Sequence, residues 1–173
     1  MITMEILTYP DTFLKQSAKQ IENIDEKIQK IINGMYETIT VNPGLGLAAI
    51  QVGVDKSILI YDELPGEEKQ LLKALINPRI ITREGSLISE NEGCLSVPDL
   101  RANVKRFARV LVEGVDEKGS PLRIEAEGLL AIILQHEIDH LNGTLFLDRV
   151  SALKRGLYKK RVKKRLKKDG EKK

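Results

Sequence analysis

The sequence predicts an α+β fold: small antiparallel β-sheets around a central buried helix, followed by a basic C-terminal helix. Three observations carry this reading. A helical apolar period lies near the N-terminus, turn residues break the middle of the chain into short β-type runs, and a long apolar segment then runs straight into His136-Glu137-Ile138-Asp139-His140.

Asp25 is placed to cap a helix whose apolar residues Ile28, Ile31, Ile32, Met35, Tyr36 and Ile39 recur at three- and four-residue steps. Asn42-Pro43-Gly44 stops it. Gly44 to Gly53 is rich in glycine and alanine and reads as a strand carrying one polar residue, Gln51. Strands are expected at Ser57 to Tyr61, Ala74 to Asn77, Arg109 to Val112 and Leu122 to Glu125, where β-branched and aliphatic residues cluster. Asp116-Glu117-Lys118-Gly119 supplies hairpin-turn chemistry between the last two.

Gly128 opens the next helix, which ends at Asn142-Gly143. Apolar residues surround it except where the histidines emerge, so it belongs at the domain centre. In the last segment, Ser151 to Lys168, Leu153, Leu157, Val162 and Leu166 form a stripe amid lysine and arginine, and this stripe is expected to pack on the body.

Both histidines of the chain lie in the pentapeptide. Spaced four apart on a helix, they leave the same face one turn from each other, so their imidazoles can share one metal ion while Glu137 faces the ligand it activates. A catalytic ion held by two imidazoles needs a third protein ligand. The position ten after His136 is Phe146, which rules out a third histidine there, and the residues some twenty further on are lysine and arginine rather than glutamate. A thiolate is the best remaining candidate, and Cys94 is the only cysteine. Cys94 follows Gly93, whose missing side chain would allow close backbone approach to a ligand, and Pro98 is expected to end any strand there. Gln51 can be packing, or an uncharged amide donor to a developing oxyanion.

Residues 151–173 hold 12 basic and two acidic side chains, whereas residues 1–150 hold 16 basic and 23 acidic ones. An acidic body, 1–150, thus carries a basic helix and tail, 151–173, as part of the same single domain, and the tail is the part suited to a polyanion. A lone cysteine excludes a disulfide scaffold and fits a reducing cytoplasm. No apolar run is long enough for a signal peptide or for the roughly 20 residues of a membrane span. The expectation is a soluble, unprocessed, cytoplasmic protein with no membrane partner.

Three segments in this order, GLGLAAIQ, EGCLS and QHEIDH, resemble the three signature motifs of bacterial peptide deformylases, and the resemblance runs from about Thr8 to Val150. It implies that Cys94, His136 and His140 bind one divalent ion, natively Fe2+ in this family, with a water in the fourth position. It further implies that Glu137 is the general base as that water attacks a formyl carbonyl, and that Gln51 and the Leu95 N–H stabilise the oxyanion. Gly46 would lie near the substrate backbone, and Leu45, Leu129, Ile132 and Ile133 would line the methionine pocket. Arg101 would lie near the substrate cleft. The implied substrate is a formyl-methionyl nascent peptide, and the implied partner of the basic C-terminal helix is the ribosome, through rRNA phosphate.

Two imidazoles and a sulfur also suit Zn2+, Ni2+ or Co2+, and ligand type does not choose among them. Two rival readings are weaker. A zinc peptidase lacks its third histidine or glutamate, and an RNA-binding protein with a closed structural metal lacks a fourth cysteine or histidine. Two departures from the family pattern stand out: Ile50 where many members carry proline, read as a change on a strand, and Glu90, which puts a carboxylate at the cleft mouth.

Overall fold

The computed structural model describes residues 3–170. After a short 3-10 turn at Thr12–Lys15, helix α1 spans Glu26–Val41. The Asp25 side chain accepts from the Ile28 N–H at 3.0 Å, as the capping rule requires, and Asn42 closes the helix by donating from Nδ2 to the Thr38 carbonyl.

Strand β1, Gly46–Ala48, leads into a 3-10 helix at Ala49–Val52. Ile50 and Gln51, expected on a strand, are therefore helical. The cause is local: Gln51 Oε1 turns back to accept the Ala48 N–H at 2.8 Å, and Gly53, at φ 74°, closes the turn. The remaining strands are β2 Ile58–Asp62, β3 Leu72–Glu84, β4 Leu87–Cys94, β5 Val97–Arg106, β6 Arg109–Val115 and β7 Pro121–Glu127. β1-β2-β3-β6-β7 form one antiparallel five-stranded sheet, and β4-β5 form a separate hairpin. The Asp116 N–H donates to the Ser120 carbonyl and its Oδ1 accepts from the Lys118 and Ser120 N–H groups, which closes the β6–β7 turn where the sequence places it.

Helix α2, Gly128–Leu141, and helix α3, Ala152–Gly170, complete the chain. The sheet is covered on both sides. Ile58 and Ile60 of β2 face α1 residues Ile32, Met35 and Ile39, while Leu59 and Tyr61 face the side that holds Leu134 and Ile138 of α2. Period-two alternation thus feeds two cores, which is why β2 reads as an unbroken apolar run and is buried at every position. Truncating one of these side chains, as in Ile60→Ala, would cost about 2–5 kcal/mol.

Two further expectations need correction. Pro98 does not end a strand but is the second residue of β5. The β4–β5 hairpin to which it belongs buries polar side chains, among them Ser89, Glu92 and Arg106. The apolar stripe of α3 is also only partly right. Val162 is buried as expected, but Leu153, Leu157 and Leu166 are exposed, and the other packing residue is Tyr158, which with Val162 joins the core that contains α2.

Candidate active site

Both elements that build the site are fixed by the fold. α2 is buried through Ala131, Leu134 and Ile138, and it turns His136 and His140 toward the β4–β5 hairpin and Glu137 toward β1. Cys94 is the last residue of β4, at the hairpin turn, with Val97 its partner across the ladder.

The structure brings the three expected ligands together: one ligand atom from each of Cys94, His136 and His140 lies within 4.8 Å of the others. His140 Nε2 is 3.2 Å from Cys94 Sγ and 3.3 Å from His136 Nε2. Three Lewis-basic atoms converging this closely form a soft and borderline donor set that a divalent transition ion fits. Burial, and after it the charges of His136 and Arg106, hold His140 well below the usual histidine range, which favours the neutral ring a ligand needs. His136, pulled down by burial, is pushed well above that range by its hydrogen bonds to Cys94 and Glu92 and would have to give up a proton to bind an ion.

Glu137 is 4% exposed, and its Oε2 has no hydrogen-bond partner among the described residues. Burial pushes this carboxyl up to about 7, and the negative charges of Glu92 and Asp139 push the same way, against His136 and Arg106. Gly46 is packed against it: a β-carbon there would fall 2.5 Å from Glu137 Oε1 and 2.7 Å from Cγ. Glycine is required because the strand backbone passes over the carboxylate.

Gln51 Nε2 donates to Ser96 Oγ at 3.2 Å and lies 3.6 Å from Cys94 Sγ. With Oε1 engaged by Ala48 N–H, the amide is oriented with its NH2 toward the cluster.

Above this cluster opens a cleft of about 690 Å3, lined by Cys94, His136, Glu137 and Gln51 together with Leu95, Leu45 and Gly46. Leu129, Ile132, Ile133 and Arg101 line it as well. His140, fully buried, is the one expected site residue not on the lining. Leu45 and Leu129 are exposed large apolar side chains, so an apolar ligand would gain by covering them. Glu90 is exposed on the same lining. Gly93 corrects one expectation. The space a β-carbon would fill is taken by the Arg101 guanidinium, 2.5 Å away, so the glycine admits a side chain of this chain rather than a ligand.

A second layer went unread in the sequence. His136 Nδ1 pairs with Glu92 Oε1 at 2.7 Å, Glu92 accepts from Arg106 Nε and Nη2, and Arg106 Nη1 donates to Asp139 at 2.6 Å. Arg149 closes the far side of Asp139 with two further hydrogen bonds. The Glu92 contact fixes the imidazole so that Nε2 is directed at the cluster. Burial would push Glu92 up, but hydrogen bonds from His136 and Arg106 and the charge of Arg106 outweigh it and hold the carboxyl down at about 2. Glu92 lies two residues before Cys94 and Asp139 lies inside the pentapeptide, so both stood in view. The missing signal was Arg106, whose burial no periodicity announces.

A hairpin thiol and two helix imidazoles under an open cleft, with a buried carboxyl beside them whose Oε2 has no partner among the described residues, have the layout of a metal-dependent hydrolase. A sequence model of the family described as Polypeptide deformylase matches residues 3–156. A peptide deformylase of Desulfosudis oleivorans is 54% identical over 167 residues, which is 96% of this chain and 96% of that protein. Among solved structures, the peptide deformylase of Legionella pneumophila is similar, with TM-score 0.86 and 40% identity over 97% of this chain and 98% of its own. That of Ehrlichia chaffeensis in complex with actinonin is also similar, with TM-score 0.87 and 41% identity over 95% and 98%. The chain belongs to the peptide deformylase family and is an enzyme of that kind.

Proposed function

We propose that this enzyme removes the formyl group from formyl-methionyl nascent polypeptides, releasing formate and a free N-terminal amine. Cys94, His136 and His140 would hold one divalent ion, Fe2+ by resemblance to the family, while Zn2+, Ni2+ and Co2+ suit the same donors. Such an ion supplies Lewis acidity, which brings deprotonation of water into the neutral range.

Glu137 accepts the proton lost by the attacking water and returns it to the leaving amine nitrogen. Its burial supports both halves of that task, since a carboxyl titrating near neutrality takes up and gives back a proton at little cost. As the formyl carbon becomes tetrahedral, negative charge grows on its oxygen, and the Gln51 amide with the Leu95 N–H donates to it. A preorganised donor of this kind is worth about 3 kcal/mol. Leu45, Leu129, Ile132 and Ile133 receive the methionine side chain, Gly46 leaves room for the substrate backbone, and Arg101 flanks the cleft. A formyl carbon bears only hydrogen, so a close approach at Gly44 and Gly46 disfavours larger acyl groups.

No described helix is long and apolar enough to cross a membrane, in keeping with the proposed cytoplasmic setting. The side chains of the seven lysines of α3 make no hydrogen bond or ion pair among the described residues, which leaves them available to rRNA phosphate on the ribosome. Full-length protein should bind ribosomes in a salt-sensitive manner. Reversal of Lys159, Lys160, Lys163 and Lys164 to glutamate should abolish that binding, and unchanged binding would move the contact elsewhere.

One observation carries the reading: Cys94, His136 and His140 converge beside the Glu137 carboxyl, in a chain of this family. The test is formate release from a formyl-methionyl peptide by protein purified without oxygen, with elemental analysis of the same sample. Failure to release formate from a metal-replete sample would refute the reading.

A further inference from the structure

The C-terminal helix is bonded to the rim of the cleft through side chains that the proposed chemistry does not use. Pro98, Asp99, Leu100 and Arg101, at the start of β5, line the cleft. Glu92 pairs with Ala102 and Cys94 with Val97, so these four residues stand opposite Gly93 alone. The sheet ladder therefore cannot hold them, and a bulge of this kind beside a site aims side chains rather than pairing them. Asp99 has φ 62°, a left-handed conformation uncommon outside glycine, asparagine and aspartate, and here its surroundings help to hold it.

The contacts that help to hold it come from α3. Tyr158, buried, donates its hydroxyl to the Pro98 carbonyl at 2.8 Å. Arg161 lies over the Tyr158 ring, 5.3 Å from its centroid, and donates to the Asp99 carbonyl at 2.6 Å. Arg165 reaches the Asp99 carboxylate at 3.3 Å. Tyr9 meets the Tyr158 ring at 5.9 Å and donates its N–H to the Ser96 carbonyl, tying the same loop from the other end. All three arginines of α3 bond to the body, Arg155 through the Asp148 carbonyl, whereas the lysines do not. The planar guanidinium serves fixed carbonyl geometry, and the flexible ammonium groups are left for solvent.

We propose that Tyr158 and Arg161 are positioning residues for the peptide part of the substrate: they fix the bulged rim at Pro98 to Arg101, along which the residues after formyl-methionine lie. Both fall beyond the 3–156 span of the family model. The proposal rests on the reading that the cleft takes a formyl-peptide.

The experiment compares wild type, Tyr158→Phe and Arg161→Met on two substrates: a formyl-methionyl tripeptide, and formyl-methionine amide, which has nothing beyond the first residue. Losing one such hydrogen bond should raise KM for the tripeptide about fivefold in each variant, with kcat within about twofold and the amide unaffected. Unchanged KM on the tripeptide, or an equal loss on both substrates, would overturn the proposal. Absence of formate release by the wild type would instead overturn the underlying reading of the site.

Discussion

Gly46 and Glu137 are packed so closely that a methyl group at position 46 would overlap the carboxylate, 2.5 Å from its Oε1. The strand that borders the cleft and the acid on the central helix therefore constrain each other, and no side chain can be added at position 46 while Glu137 keeps its place.

Gly46→Ala should leave the fold intact but drive the Glu137 side chain from its place. The expected result is a loss in kcat/KM of about 10²-fold, since displacement of a proton-transfer group by an ångström is costly. Bound metal should be retained. Kinetics close to wild type would show that Glu137 has room to move, against the packing described.

Glu137→Ala should also retain metal, because it removes no ligand, and should lose at least ~10²-fold in rate. Normal turnover by this variant would remove Glu137 from the proton-transfer role.

Most of the frame was legible in sequence. The Asp25 cap, the β2 run and the pentapeptide helix each follow from one local rule that the tertiary structure does not override. Ile50 and Gln51 left the expected strand for a local reason, the Gln51 amide turning back on Ala48, whereas at α3 and around the Cys94, His136 and His140 cluster amphipathic and charged side chains do the packing. α3 meets the body through Tyr158 and the arginines while three leucines stay exposed, and apolarity alone cannot show this. Glu92 and Arg106 of the β4–β5 hairpin are buried in an ion-pair chain with Asp139 of α2. The three proposed ligands, Cys94, His136 and His140, stood out because the chain has only two histidines and one cysteine.

Glu92→Gln should weaken metal binding by about 10–100-fold, the usual effect of losing a partner that orients a ligand histidine. It also breaks a buried ion pair with Arg106, at a cost on the order of 3 kcal/mol. The sign of the pH effect follows from the depressed carboxyl. Glu92 ionises at about 2 in the fold against an ordinary 4.5, so its stabilisation is fully present above pH 4.5 and fades as the pH falls toward 2. Thermal melts of wild type and variant with excess chelator, between pH 7 and 3, should show the largest gap in Tm at pH 7 and a narrowing gap below 4.5. A gap independent of pH would contradict this.

The central claim is a chelate of three side chains, Cys94, His136 and His140, and metal stoichiometry in Cys94→Ala measures it most directly. Protein purified without oxygen should carry one divalent transition ion per chain, and Cys94→Ala should lose both that ion and formate release. A variant that keeps a full equivalent of metal and deformylates at the wild-type rate would contradict the account.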